Sequence, residues 1–209
     1  MQIRYYVFFL IAVFVGTSAH AQMNGKGSFW ERTSVEAGWG LNYPVKPAEE
    51  IFHRGYIHPK SFYIGALYDL NNLWGLRISA AYNKFELSGA RHIGLYHLKY
   101  MGEVTLNFIE AVSRNKHGRW QRDFDFMIHS GFGVSAGKST QFKGFDKTLT
   151  YQLGAMPRYR ISKRIHLQLD FIGDLNFRQA YDIDGYRIHH KLGAYLSANI
   201  GIAYRLGDI

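Results

Sequence analysis

The sequence predicts an all-β fold: an eight-stranded antiparallel up-and-down transmembrane β-barrel. Three observations carry that prediction. From Thr33 onward, eight stretches alternate apolar residues with small or polar ones at a period of two. Aromatic residues gather at both ends of the apolar face. The opposite face is rich in Gly, Ser and Asn, which suits a cramped interior better than a solubilising surface.

Residues 1–21 read as an export signal peptide rather than as part of the barrel, which then occupies 22–209. Arg4 is the only charge in that segment, Tyr5 to Val15 is apolar, and Ala19-His20-Ala21 offers a small-x-small cleavage site before Gln22. The apolar run is too short for a spanning helix, which needs about 20 residues. The 209 residues include no cysteine, which excludes a disulfide framework, a thiolate zinc site and a lipid-modified cysteine anchor. The net charge is +9, but the basic residues are spread over strands and turns. Nucleic acid is therefore not expected as a partner; anionic head groups or cell wall are.

The strands follow in order. Strand one sets Thr33, Val35, Ala37, Trp39, Leu41 and Tyr43 on the apolar face and Ser34, Glu36, Gly38, Gly40 and Asn42 on the other. Strand two does the same from Phe62 to Leu70, strand three from Trp74 to Tyr82, and strand four from Tyr96 to Phe108. Strand five runs from Phe124 to Ala136, strand six from Leu149 to Ile161, strand seven from Ile165 to Phe177 and strand eight from Leu192 to Leu206. Nearly all reach the nine to eleven residues, roughly, that a tilted membrane strand needs; strand two is close. Pro157 lacks a ladder donor in a barrel without free edges, so a bulge is expected there.

A soluble barrel would turn its apolar face inward around a ligand. Here Trp74, Phe108, Phe124, Tyr159 and Tyr204 mark one end of that face, and Tyr43, Phe62, Tyr82, Tyr96 and Phe177 mark the other. Such a double girdle places lipid outside. With the N-terminus in the periplasm, Asn71-Asn72, residues 110–122 and Ser162-Lys163 form the periplasmic turns. The outer loops are then about 44–60, 84–92, 137–148 and 178–188. The 110–122 turn carries Arg114, Lys116, Arg119 and Arg122 against Glu110. It reads as a solvated turn near head groups, with docking on a periplasmic or cell-wall partner as the functional alternative.

The inward charges balance. Glu36, Asp69, Glu103, Asp125, Asp170 and Asp174 face Arg77, Lys99, Arg158, Arg160, Lys191 and Arg205. Depth along the strands sorts them into an outer layer of Lys99, Asp174 and Lys191, and a middle layer of Glu36, Arg77, Glu103 and Asp170. Asp69, Asp125, Arg158, Arg160 and Arg205 form the periplasmic layer. Eight strands enclose a space that side chains can fill, so the network reads as a structural plug. The competing reading is a narrow pore gated by the middle layer, with Arg77 switching between carboxylates.

No catalytic site is expected. His129-Ser130 and His189-His190 are adjacent pairs whose members point to opposite faces of a strand. His53 and His58 have no defined partner. No nucleophile elbow, phosphate loop or zinc-helix motif appears. The chain is read as a non-enzyme that needs no cofactor and no metal.

The second half carries a resemblance. DKTLTYQLGAMPRYRISKRIHLQLDFIGDLNFRQAYDIDG, followed by GAYLSANIGIAYRLG, resembles the barrel domain of OmpA-type outer-membrane proteins, particularly those of the Bacteroidetes type. Pro157, Ser162 and Asp184-Gly185 fill the family pattern, and the likeness covers about residues 124–207. Asn199, Gly201, Tyr204 and Leu206 are similar to the terminal signal read by the barrel assembly machinery, although Gly207-Asp208-Ile209 replaces the usual terminal aromatic. The family commonly continues into a peptidoglycan-binding domain, and the expectation here is a barrel lacking it, so that domain's anchoring role is not carried over. The resemblance implies a Gram-negative outer-membrane protein with a structural or surface-interaction role. A narrow passive pore and a barrel component of a conjugation or secretion complex are the alternatives.

Overall fold

The computed structural model describes residues 28–46, 58–86, 94–113, 123–140, 143–181 and 187–207. The segment read as a signal peptide lies outside them, as do His53, Asp184-Gly185 and most of the basic 110–122 connection. Eight strands form one closed barrel in sequence order. They are β1 (Thr33–Lys46), β2 (His58–Asp69), β3 (Trp74–Glu86), β4 (Gly94–Asn107), β5 (Phe124–Ser139), β6 (Asp146–Arg160), β7 (Ile165–Tyr181) and β8 (Arg187–Arg205). Every neighbouring pair is antiparallel, and β1 closes on β8 from Ser34↔Arg205 to Lys46↔Ala194. Closure leaves no unpaired sheet edge, the condition a strand-built wall must meet in hydrocarbon.

The two faces have opposite polarity to those of a water-soluble protein. Adjacent residues show it: Arg77 is 1% exposed and Ile78 is 66% exposed. Trp39, Tyr100, Phe132 and Ile202 lie on the outside, while Glu36, Glu103, Asp125 and Asp170 are buried within. An outside made of large exposed apolar side chains suits the wall to an apolar surrounding.

Three connections gather at one end, the turn end. Asn71 closes β2–β3 by accepting at Oδ1 from the amides of Leu73 and Trp74, at 2.8 and 2.7 Å. Ser162 and Ile165 close β6–β7 through reciprocal backbone bonds. A one-turn helix, α1 (Phe108–Val112), leads out of β4, its start capped by Asn107 Oδ1 at 3.0 Å from the Glu110 amide.

At the opposite, loop end the strands run further than the alternation indicates. Pairing continues through Lys84↔Tyr96, Glu86↔Gly94, Leu95↔Ser139 and Tyr181↔Arg187. The connections shrink accordingly, to 47–57, 87–93, 140–145 and 182–186. Apolar alternation stops where the wall leaves an apolar surrounding, but backbone pairing does not depend on it.

The bulge also falls elsewhere than expected. Pro157 pairs with Phe126 of β5 in unbroken register. Toward β7 the pairing lapses between Ala155↔Phe171 and Arg158↔Gln168, and the register is the same on both sides. The proline thus removes a donor without inserting a residue. The irregularities lie instead between Asn176 and Tyr181 of β7, where Arg178 adopts a φ of 62°, and in β1 at Gly40–Asn42 and Pro44–Lys46.

Candidate functional site

The alternation of the strands sends Glu36 (β1), Arg77 (β3), Glu103 (β4) and Asp170 (β7) into one region of the lumen, and Arg77 occupies its centre. Its Nε donates to Glu36 Oε1, its Nη1 to Glu103 Oε2 at 3.3 Å and its Nη2 to Asp170 Oδ2 at 2.9 Å. The rigid fork of a guanidinium suits it to meeting several carboxylates at once. Its Cζ also lies 5.3 Å from the ring centroid of Tyr63.

Several residues that counting charges overlooks complete this hub. His129 stands between two carboxylates, with Nδ1 2.5 Å from Glu103 Oε2 and Nε2 2.9 Å from Asp170 Oδ1. Only a ring carrying both N–H groups can donate to both. Gln152 Nε2 donates to Glu103 Oε2 at 3.0 Å, and Ser79 Oγ donates to Glu103 Oε1 at 2.9 Å. Gln168 Nε2 reaches Glu36 Oε2 at 3.1 Å and the Tyr63 hydroxyl at 2.6 Å. The sequence signal for all of them is the inward half of the alternation, read for neutral polar residues as well as for charges.

Backbone without Cβ makes the space. A Cβ on Gly154 would fall onto the His129 ring, and one on Gly38 would fall onto the Tyr63 ring. Gly201, assigned to the assembly signal, has a second constraint: its Cβ would lie 2.7 Å from the Tyr63 hydroxyl and 2.6 Å from the Ala37 carbonyl oxygen. Asn199 is likewise buried on the inner face of β8, whereas Tyr204 faces out, its hydroxyl 3.4 Å from Arg164 Nη1. Leu206 lies just beyond β8, its amide bonded to the Thr33 carbonyl at 3.0 Å.

The remaining charges fall into place differently from the three-layer expectation. Arg158, assigned to the periplasmic layer, reaches up to Glu36 Oε2 at 3.1 Å and so joins the hub. Arg160 sits at the rim, paired at 2.6 Å with the exposed Asp123. Arg205 Nε donates to the Glu31 carbonyl at 2.5 Å. Asp125 is buried and accepts from the Phe126 amide at 3.0 Å, and Asp69 is half-buried at the end of β2. Lys99 and Asp174 meet at 2.5 Å, with Gln152 Oε1 2.6 Å from the same ammonium. The backbone of Lys191 pairs with Gln179, and its side chain lies outside the described residues.

Buried side chains also gather in the lumen on either side of the hub. Leu67, Met127 and Met156 pack together toward the turn end. Toward the loop end, the rings of Phe85, His97 and Tyr195 lie 5.1 to 6.1 Å apart. His129 faces this interior, while Ser130 faces out and donates to the Tyr151 hydroxyl at 2.9 Å. The two do not form a catalytic pair. His189 and His190 are consecutive residues of β8.

An inside-out barrel of eight strands with ion pairs spanning its lumen is the class that fold and site define. No protein-family model matches the chain, and no curated protein matches it. Solved structures do. Neisserial surface protein A superposes with a TM-score of 0.51 at 9% identity, over 83% of this chain and 95% of that one. The N-terminal β-barrel domain of Pseudomonas aeruginosa OprF gives 0.48 at 10% identity, over 83% and 97%. The attachment invasion locus protein Ail of Yersinia pestis gives 0.41 at 12% identity, over 82% and 96%. What the chain shares with the Neisserial protein is the fold.

Proposed function

We propose that the chain is an integral protein of a Gram-negative outer membrane, exported by its first 21 residues. Its role is structural or in surface interaction, and its lumen is plugged by the charged network rather than open. In this reading it is a barrel of the OmpA type, without catalytic activity. The turn end faces the periplasm and the loop end faces outward. Its partners are outer-membrane lipid, the assembly machinery that reads Asn199, Gly201, Tyr204 and Leu206, and a periplasmic or cell-wall surface met by residues 110–122.

The observation that carries the plug is the Arg77 hub. Its charged side chains come from β1, β3, β4, β5, β6 and β7, and all of these are buried and paired. Ions crossing would have to break these pairs in a low-dielectric interior, where separated charges are costly.

Planar-bilayer recording on the refolded chain tests this. The expected trace shows no unitary current steps, either in the native chain or after replacement of the exposed Lys163. Regular steps that change amplitude in Arg77→Ala would replace the plug by the narrow pore. Cell fractionation, with samples run cold and boiled, tests the address. The expected result is outer-membrane recovery with a heat-dependent gel shift.

A further inference from the structure

We propose that the outer wall of β3–β6 at the loop end holds a binding site for a phosphorylated lipid. The inference rests on the reading of this wall as lipid-facing. The cross-strand register places Lys84, Tyr96 and Lys138 side by side on adjacent strands, in one outward row. Lys84 Nζ lies 5.0 Å from the Tyr96 ring centroid, and Lys138 Nζ lies 5.7 Å from that of Phe145. The row nearer the barrel middle runs Tyr82, Leu98, Ala136 and Lys147. A groove of about 600 Å³ follows these rows, walled by Tyr82, Tyr96 and Phe145 and floored by Leu98 and Ala136.

Three features select the occupant. The first is charge. Lys84, Lys138 and Lys147 come from three strands, while Glu103, Asp125 and Asp146 of β4–β6 are all buried. The nearby Asp146 is buried, where it accepts from the Ala180 amide. The second is depth. Tyr82 and Tyr96 belong to the aromatic belt that marks a membrane interface, so the ammonium groups sit at head-group level. The third is the floor. Ala136 leaves a channel beside larger neighbours, directed from the lysines toward the apolar band. Lysine serves as a compact point charge for phosphate, and the channel takes an acyl chain. A free phosphate ion would leave the apolar floor unused.

The test uses the mature chain in nanodiscs of phosphatidylcholine doped with phosphatidic acid of the same acyl chains. Native mass spectrometry of the released protein reads the lipid that stays bound. The native chain should retain phosphatidic acid on the order of tenfold above its share of the disc, given how strongly surface lysines attract anionic lipid. The double variant Lys84→Gln/Lys138→Gln should fall to the bulk ratio, and Lys163→Gln in the β6–β7 turn should keep the native value. Ala136→Phe, which fills the channel and leaves the charge unchanged, should also lose the lipid. Enrichment that survives both site variants places the binding elsewhere and overturns the proposal, as does displacement of the lipid by inorganic phosphate. A chain that inserts and shows no enrichment removes the site alone. A chain that neither inserts nor shifts on heating removes the lipid-facing wall, and the site with it.

Discussion

Replacing Arg77 by Met should destabilise the folded barrel by about 3–5 kcal/mol, the usual cost of removing one partner from a buried ionic cluster. The substitution keeps most of the side-chain volume, so the loss is one of charge and hydrogen bonds rather than of packing. Glu36, Glu103 and Asp170 each lose a donor in a region where all three are buried. Glu36 keeps Arg158 and Gln168, and the other two keep His129, which holds the effect toward the lower end of that range. Reversible urea unfolding in phospholipid vesicles measures it as a shift of the midpoint. Adding Glu103→Gln to Arg77→Met should recover part of the loss, because one orphaned charge disappears with it. A midpoint unchanged by Arg77→Met would mean that water already solvates these carboxylates.

Gly154→Ala should cost about 1–3 kcal/mol, the range for forcing extra volume into a filled interior. The new methyl would fall onto the Nε2 side of the His129 ring and within 2.9 Å of the Phe171 carbonyl oxygen. His129 cannot swing aside cheaply, because both of its ring nitrogens are engaged by Glu103 and Asp170. A double-mutant cycle separates the two obstacles. In a His129→Ala background, Gly154→Ala should cost clearly less, leaving only the approach to the Phe171 carbonyl. An undiminished cost there would assign the strain to the backbone of β7 rather than to the ring.

Much of this architecture is readable in the chain, because a strand in lipid obeys one strict rule: successive side chains alternate between hydrocarbon and lumen. That rule suffices for eight strands, their two faces and the common depth of Glu36, Arg77, Glu103 and Asp170. It fails where its physical basis lapses. Beyond the aromatic belts the apolar alternation breaks off, so β5 and β8 extend to Ser139 and back to Arg187 without a period-two signal. Depth assigned at the backbone misplaces long side chains, which is why Arg158 reaches Glu36 from a lower position and Arg160 ends at the rim beside Asp123. A tally of formal charges passes over His129, whose importance comes from two hydrogen bonds. Pro157 is the plainest local signal in β6, yet the kink falls in β7 at Arg178, a residue that gives no hint of a left-handed backbone.

The long sequence separations inside the hub bear on the order of assembly. Arg77 stands 41 residues from Glu36 and 93 from Asp170, and Gln168 bonds Glu36 across 132. The last of these joins the first strand to the seventh and the second joins the third to the seventh, so both form only when the ribbon curls round and its two margins meet. The cluster behaves as a clasp that fastens last: it contributes little to the speed of folding and much to the lifetime of the finished cylinder, as interactions absent from the transition state do.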